Sequence, residues 1–367
     1  MKILYVINGF DPGGAEHGLL TLLENGFFEG HSVKVLGLYR GRGDLAQKIC
    51  SCVGVENFTI SHDRETLSLK AMICGAGSLF RILRISKPDS VILSLKQANL
   101  VGRIVLALFP SIRCISFEHT AYYRARHFEW IYKYLIRLTS LRVDEVWADC
   151  NETLISTQGY MLGIRKHTRS IVPLFCIREE SPEKGDYSRS SRIKLAVAGR
   201  LEKGKLFDVV VDAVAALRDK GLDVCLDIFG DGVEHAALLT QIQTKGLADR
   251  VQLLGYRSDW VKEVVRYDIF INASRVEGFC IVVAEAMAAG LPVVATRVGG
   301  INEYGLDGQN MLNVSVESVV DLLEKILLLA DDEDLRRRIG SQACKDIRSR
   351  YSVAALRRAG AAVLTNK

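Results

Sequence analysis

Glu277 and Glu285 bracket the run Glu277-Gly278-Phe279-Cys280-Ile281-Val282-Val283-Ala284-Glu285, which continues Ala286-Met287-Ala288-Ala289-Gly290-Leu291-Pro292. The apolar residues predict a helix over Ile281–Ala289. Gly290 suits its left-handed cap, and Pro292 forbids its continuation. A helix start presents unpaired N–H groups and a positive dipole end, which suits an oxygen-rich or anionic ligand. Glu277 falls in the loop before that start and Glu285 about two turns in. Both carboxylates can then accept hydrogen bonds from the hydroxyls of one polyol ligand. A solvated helix face is the plain alternative for such a pair.

A second constellation is Gly199-Arg200-Leu201-Glu202-Lys203-Gly204-Lys205-Leu206, set between an apolar strand pattern and a helical one. It nearly spells the phosphate loop G-x-x-x-x-G-K-[ST]. Leu206, however, stands where a hydroxyl must hold magnesium, which argues against a nucleotide triphosphatase. Without a metal, Arg200 and Lys205 still place two cations where a nucleotide diphosphate could leave, offsetting the charge that develops as its bond breaks. The alternative is a solvated basic turn. No Asp-x-Asp pair stands at a strand end to hold a divalent ion, so no metal and no other cofactor is expected.

Weaker signals sit at other strand ends. Gly13-Gly14 follows the first strand and precedes a helix, so its amides can approach a phosphate; the spacing is not that of a dinucleotide fingerprint. Gly230-Asp231-Gly232 also fails that fingerprint, since His235 occupies the place of a third glycine. Tyr256 and Arg257, in Gly255-Tyr256-Arg257-Ser258-Asp259, could stack on or hydrogen-bond to a base, or form a plain surface turn. His119, in Phe117-Glu118-His119-Thr120, ends another strand. A histidine beside an apolar strand is more often structural than functional.

The elements needed to position these groups alternate throughout. Short apolar runs are expected as strands at 3–7, 33–38, 90–93, 114–117, 145–148 and 170–172, then at 194–198, 224–229, 251–254, 269–271 and 293–296. Helical patterns cover 16–24, 71–85, 98–108 and 128–141, then 207–220, 233–244, 281–289, 316–329 and 333–349. This is α/β architecture with parallel sheets, and its ligands bind at the carboxyl ends of strands. The polar, breaker-rich stretch 181–192 reads as a linker. The expected division is 1–180, the linker, 193–350, and a tail 351–367 that could form a helix crossing back.

Composition bounds the function. At 367 residues, 49% hydrophobic and 25% charged, the chain is globular and long enough for two domains. No apolar run reaches the ~18–20 residues that span a bilayer, and Met1–Ile7 reads as a first strand, not a leader. Nine cysteines, an odd number scattered through apolar stretches, fit reduced thiols of a cytoplasmic protein. Cys50 and Cys52 are the one close pair, with no partners for a zinc site. Residues 1–180 carry 22 Lys plus Arg against 17 Asp plus Glu, whereas 181–367 balance at 26 each. This excess is too mild for a nucleic-acid reader but could favour an anionic acceptor or membrane surface. Tyr122–Arg142, which interleaves aromatic and basic residues, could lie on such a surface at its periphery or pack its aromatics inward.

The segment from Glu277 to Pro292 closely resembles the donor-binding motif of retaining glycosyltransferases of family 4, which have the GT-B fold of two Rossmann-like domains facing across a cleft. Gly199–Lys205, Gly13-Gly14-Ala15-Glu16 and the turn Val298-Gly299-Gly300-Ile301 with Glu303 extend the likeness. The resemblance implies a metal-independent enzyme that transfers a sugar, with retention, from a nucleotide-diphosphate sugar to a saccharide or lipid-linked saccharide, in surface polysaccharide or glycolipid assembly. Arg200 and Lys205 would face the diphosphate. Glu277 and the Phe279–Ile281 amides beyond Gly278 would hold the sugar, Glu285 the ribose, and His119 would contact the sugar near the reacting centre. Gly13, Gly14, Gly230, Tyr256 and Arg257 complete the implied donor contacts. Two departures stand out. Leu206 and Cys280 both replace the family's usual glycine, and the Cys280 side chain could crowd the sugar or turn into the core. A nucleotide-sugar epimerase or hydrolase, or a non-catalytic donor-binding protein, are the alternatives on the same fold.

Overall fold

A computed structural model describes residues 1–119, 129–163, 168–177, 181–188, 191–257 and 259–365. Thr120, Ser258 and most of the aromatic-basic stretch, with the side chains of residues 129–133, lie outside the described residues. The chain divides into two compact units, Met1–Cys176 with Val353–Lys367, and Ile177–Ser352.

The first unit is built on seven parallel strands: β1 Lys2–Ile7, β2 Ser32–Gly37, β3 Phe58–Ile60, β4 Ser90–Ser94, β5 Arg113–Glu118, β6 Glu145–Ala148 and β7 Thr168–Ile171. Their order is β3-β2-β1-β4-β5-β6-β7. β1 pairs Ile3 with Val33 on one side and with Ser90 on the other. β4 is buried along its whole length, as a strand covered on both faces must be. Helices α1 Gly14–Glu24 and α2 Leu45–Val53 pack together, as do α3 Leu69–Ser86 with α4 Lys96–Leu106 and α4 with α5 Glu129–Thr139. The short α6 Asn151–Ser156 follows β6. Arg103 of α4 is fully buried and is held by Glu118 Oε1 at 2.9 Å and Asn99 Oδ1 at 3.2 Å.

The second unit has six parallel strands: β8 Ile193–Ala198, β9 Val224–Phe229, β10 Val251–Gly255, β11 Ile269–Asn272, β12 Val293–Thr296 and β13 Leu312–Val314, in the order β10-β9-β8-β11-β12-β13. Its helices are α7 Phe207–Asp219, α8 His235–Thr244, α9 Trp260–Glu263, α10 Ile281–Ala288, α11 Ile301–Tyr304, α12 Val319–Asp331 and α13 Glu333–Arg350. The core cluster joins β8, β9 and β11 to the inner faces of α7 and α12. After its last turn α10 ends as the sequence requires, with Gly290 at φ +77° and Pro292 beyond it.

The stretch expected as a linker falls inside this second unit. The Tyr187 ring is buried and its hydroxyl donates to the Gly290 carbonyl at 2.8 Å. Lys184 Nζ donates to the Tyr267 carbonyl at 2.8 Å. The buried guanidinium of Arg336 on α13 donates to the carbonyls of Tyr187, Leu329 and Ala330, so it caps α12 and fastens residue 187 at once. The tail forms α14, Val353–Thr365, within the first unit, where Gly360 lies against the Phe27 backbone. Four cysteines are buried but Cys52 is exposed, and all nine are free thiols.

Candidate functional site

In the second sheet the strand order reverses between β8 and β11, and the loops leaving these two neighbours must diverge. That switch point is where open parallel sheets bind ligands. The loop after β8 turns through Lys203–Lys205 into α7, and the loop after β11 leads to α10. The Arg275 amide donates to the Gly204 carbonyl at 2.8 Å and ties one loop to the other.

Across this junction Lys205 Nζ lies 2.7 Å from both carboxylate oxygens of Glu277. The Glu277 side chain is only 6% exposed and that of Lys205 26%. Burial pushes the Glu277 carboxyl up. The Lys205 charge and hydrogen bonds, with those of Ser274 and Asn272, outweigh it and hold it below the ordinary carboxylate range. Burial likewise works against the Lys205 cation, but Glu277 keeps its pKa above the usual value. Both groups are therefore charged at neutral pH.

Asn272, the last residue of β11, donates to Glu277 Oε1 at 3.3 Å and lies 3.4 Å from Cys280 Sγ. The Cys280 thiol is thus buried beside the Lys205–Glu277 pair, where burial raises its pKa well above normal. The side chain is buried, and its neighbours Asn272, Glu277 and Lys205 are groups of the site. The backbone explains why glycine is usual here. Cys280 has φ +63° and Leu206 has φ +54°, so both departures from glycine occupy the left-handed region.

The donor-type loop is fixed from beneath. A Cβ on Gly299 would stand 2.3 Å from the Gly278 carbonyl oxygen, and one on Gly300 would stand 2.8 Å from the Phe279 backbone. The Gly300 amide donates to the Gly278 carbonyl at 2.6 Å. Tyr304 on α11 directs its hydroxyl to the carbonyls of Phe279 at 3.1 Å and Cys280 at 3.0 Å. The buried Phe279 ring packs between Tyr304 and Tyr351. Ile281 opens α10 directly after these residues. Only about one turn into the helix, not the two expected, Glu285 accepts from Trp260 Nε1 at 3.0 Å. Burial lifts its carboxyl to about 8, with the Trp260 bond acting against the rise, so Glu285 is mostly protonated at neutral pH.

The other residues singled out in the sequence are less closely joined. Arg200 is exposed and pairs with Glu202 at 3.3 Å. Gly230, at φ +145°, would drive a Cβ to 1.9 Å from the Gly199 carbonyl oxygen, so backbone packing between the β8 and β9 loops already requires glycine. Tyr256 is half exposed after β10, and Arg257 pairs with Glu263 at 3.0 Å. In the first unit Gly13, in extended conformation, precedes α1, which Gly14 opens. His119 follows β5: Nε2 lies 2.8 Å from Ser94 Oγ, and the ring packs on Phe117. Its Nδ1 is buried without a hydrogen-bond partner among the described residues, and burial lowers its pKa to about 3, so the ring is neutral.

Sequence reasoning missed Asn272, Tyr304 and Trp260. Asn272 carried a signal, a polar residue closing the apolar run Ile269-Phe270-Ile271 at a strand's carboxyl end. Tyr304 and Trp260 touch the site through folds of the chain that spacing does not reveal.

Comparison with known proteins first defines the class. The chain superimposes on the Anabaena protein HepE, solved in complex with UDP and glucose, with a TM-score of 0.84 over 100% of both chains at 20% identity. The two parallel-sheet units are those of the GT-B fold. Residues 179–346 then match the family model described as glycosyl transferases group 1. An uncharacterized glycosyltransferase of Methanocaldococcus jannaschii is 35% identical over 40% of this chain and 40% of its own length. The N-acetyl-alpha-D-glucosaminyl L-malate synthase of Bacillus anthracis is 29% identical over 47% of this chain and 46% of its own. The chain thus spans less than half the length of these curated relatives. No helix among the described residues is long and apolar enough to cross a membrane.

Proposed function

We propose that this chain is a retaining glycosyltransferase that moves a sugar from a nucleotide-diphosphate sugar to an acceptor hydroxyl, in surface polysaccharide or glycolipid assembly. The observation that carries this reading is the Lys205–Glu277 pair, set across the switch point within the segment that matches the glycosyl transferases group 1 model. A buried carboxylate neutralised by an ammonium beside a helix start offers both halves of what a sugar diphosphate needs. The ammonium, with Arg200, takes the phosphate charge, and the carboxylate takes sugar hydroxyls. The Phe279–Ile281 amides beyond Gly278 add donors for the sugar, and Glu285 takes the ribose. Being largely protonated, Glu285 can both donate to and accept from a hydroxyl.

The remaining assignments follow the same reading. Tyr256 and Arg257 lie towards the base, Gly230 shapes the loop beside it, and Gly13 and Gly14 offer amides to phosphate. Neutral His119 contacts the sugar near the reacting centre. The acceptor hydroxyl attacks the anomeric carbon on the face from which the diphosphate departs, so the sugar keeps its configuration; the leaving phosphate accepts the hydroxyl's proton, and the two cations make a divalent ion unnecessary. The acceptor is a saccharide or a lipid-linked saccharide, and the setting is cytoplasmic with peripheral membrane contact.

Incubation with a panel of nucleotide-diphosphate sugars, with and without lipid-linked acceptors and with a chelator, tests this directly. Acceptor-dependent release of nucleotide diphosphate that survives the chelator, with a retained anomeric centre in the product, is expected. Donor breakdown or epimerisation that needs no acceptor would replace the transferase reading. Loss on chelation with rescue by magnesium or manganese would overturn metal independence.

A further inference from the structure

Residues 66–117 hold seven Lys or Arg and a single acid, Asp89, which accepts from the Lys2 amide at 2.7 Å. Two of the seven are spent inside the fold, Arg103 on Glu118 and Arg113 on Glu145. Helices α3 and α4 carry no Asp or Glu at all. Their outer stripes are nonetheless not merely polar. Ile73 and Phe80 on α3, Ile104 on α4, Leu108 just after it, and Tyr134 and Leu138 on α5 are all exposed, Leu108 at 69%. The three helices pack in sequence, α3 on α4 and α4 on α5. Phe80 meets Phe109 edge-on at 5.5 Å, so the α3 stripe runs on into the turn that carries Leu108. Exposed Lys70, Arg81, Arg84 and Arg137 stand among these apolar side chains, and Arg84 lies over the Phe80 ring at 5.9 Å.

We infer that the outer face of α3, α4 and α5 docks on an anionic lipid bilayer. Large apolar side chains interspersed with cations, and no acid on α3 or α4, match a surface that offers acyl chains just beneath negative headgroups. A second copy of the chain is the poorer occupant. A two-fold interface sets a patch against itself, and this one would oppose cations to cations with no carboxylate on α3 or α4 to relieve them. Nucleic acid has no use for isoleucine and leucine stripes on helices of this kind, since its non-specific readers use cations with stacked rings. This inference rests on the peripheral membrane contact proposed above and names its surface from unit-one chemistry, so its failure leaves the transferase reading untouched.

Co-sedimentation of the whole chain with vesicles tests it. Wild type is expected to bind phosphatidylglycerol–phosphatidylcholine vesicles at least about tenfold more tightly than phosphatidylcholine alone, with the difference screened at high salt. The pair Ile104→Glu/Leu108→Glu and, separately, Arg81→Glu/Arg84→Glu should each lose about tenfold or more. Leu328→Glu, an exposed apolar position on α12, should bind as wild type. Because all these side chains are exposed, unchanged circular dichroism is expected throughout. Equal binding to the two vesicle types, wild-type binding by either double variant, or a wild-type dimer that Leu108→Glu dissociates, would each overturn the proposal.

Discussion

Lys205 and Glu277 neutralise one another across the boundary between the first and fourth strands of the second sheet, with both carboxylate oxygens 2.7 Å from the ammonium. One side chain is nearly sealed and the other is partly open, so the pair packs the loop junction while leaving the ammonium within reach of solvent.

Removing Lys205 should therefore cost twice. Lys205→Ala strands a buried carboxylate, a loss of up to about 3–5 kcal/mol, and should lower turnover by roughly 10²–10³-fold. The double variant Lys205→Ala/Glu277→Gln should regain stability but not turnover. Arg200→Ala, at an exposed position, should shift stability by no more than about 0.5 kcal/mol yet slow the reaction. Urea unfolding beside steady-state rates separates these outcomes, and a wild-type rate in Lys205→Ala ends the diphosphate role. Because Glu277 is held below its unfolded value, its stabilisation is full above the ordinary carboxyl range. It fades as pH falls through the folded value.

Glu285 has the opposite sign. Its folded pKa of about 8 lies above the unfolded value, so the native state holds the extra proton. Stability should fall as pH rises from the ordinary carboxyl range through about 8. Glu285→Gln should flatten that slope. Trp260→Phe, which deletes the hydrogen bond that favours the ionised form, should move the carboxyl higher still. Thermal unfolding from pH 5 to 9 reads all three; an unchanged slope in Glu285→Gln would refute the assignment. In calorimetry, Glu285→Ala should weaken free nucleotide and intact donor alike, whereas Glu277→Ala should harm donor use and spare the free nucleotide.

Leu206 and Cys280 test what positive φ costs. For either one, glycine relieves left-handed strain of roughly 1–2 kcal/mol but forfeits a buried side chain of similar worth. Cys280→Gly should thus change unfolding free energy by less than about 1 kcal/mol. Cys280→Val, β-branched at φ +63°, should lose about 1–3 kcal/mol. Since the thiol is buried, the Cys280→Gly enzyme should keep its donor profile, and the native Cys280 thiol should resist Ellman's reagent. A broadened donor profile would place that thiol against the sugar instead.

Tyr304→Phe deletes one hydroxyl that serves two carbonyls of the donor loop. The loss should be about 1–3 kcal/mol of stability, with a raised donor KM and a smaller effect on kcat, because the loop is held less firmly and no reacting group is touched. Equal donor KM in the variant and wild type would show that the Gly299-Gly300 packing alone positions the loop.

The parts of this architecture that sequence could reveal were those written in local periodicity. β9 and β12 lie at the expected residues, and α10 begins at Ile281 as its pattern requires. The short elements escaped for want of length. β3 and β13 are three residues each, and α9 and α11 four, too few for any period to show. Local spacing could bring out Lys205 and Glu277 as separate signals, but their contact spans 72 positions and exists only because β8 and β11 are neighbours. The glycine motifs were visible too, but their reason was not. Gly230, Gly299 and Gly300 are glycines because another backbone lies where a Cβ would be.

The Arg336 guanidinium bears on how the second unit could be separated from the rest. It spends its donors on carbonyls alone, and two of those bonds reach back 149 positions to Tyr187. A fragment cut at residue 193 would keep the buried cation and discard the acceptor it was folded around, together with the ring that covers Gly290. A fragment begun at Ile177 keeps both. The chemical boundary of this half of the chain therefore lies well upstream of the point where its sheet begins, and a protease that cuts after aromatic residues should spare the buried Tyr187 although it carries no regular secondary structure.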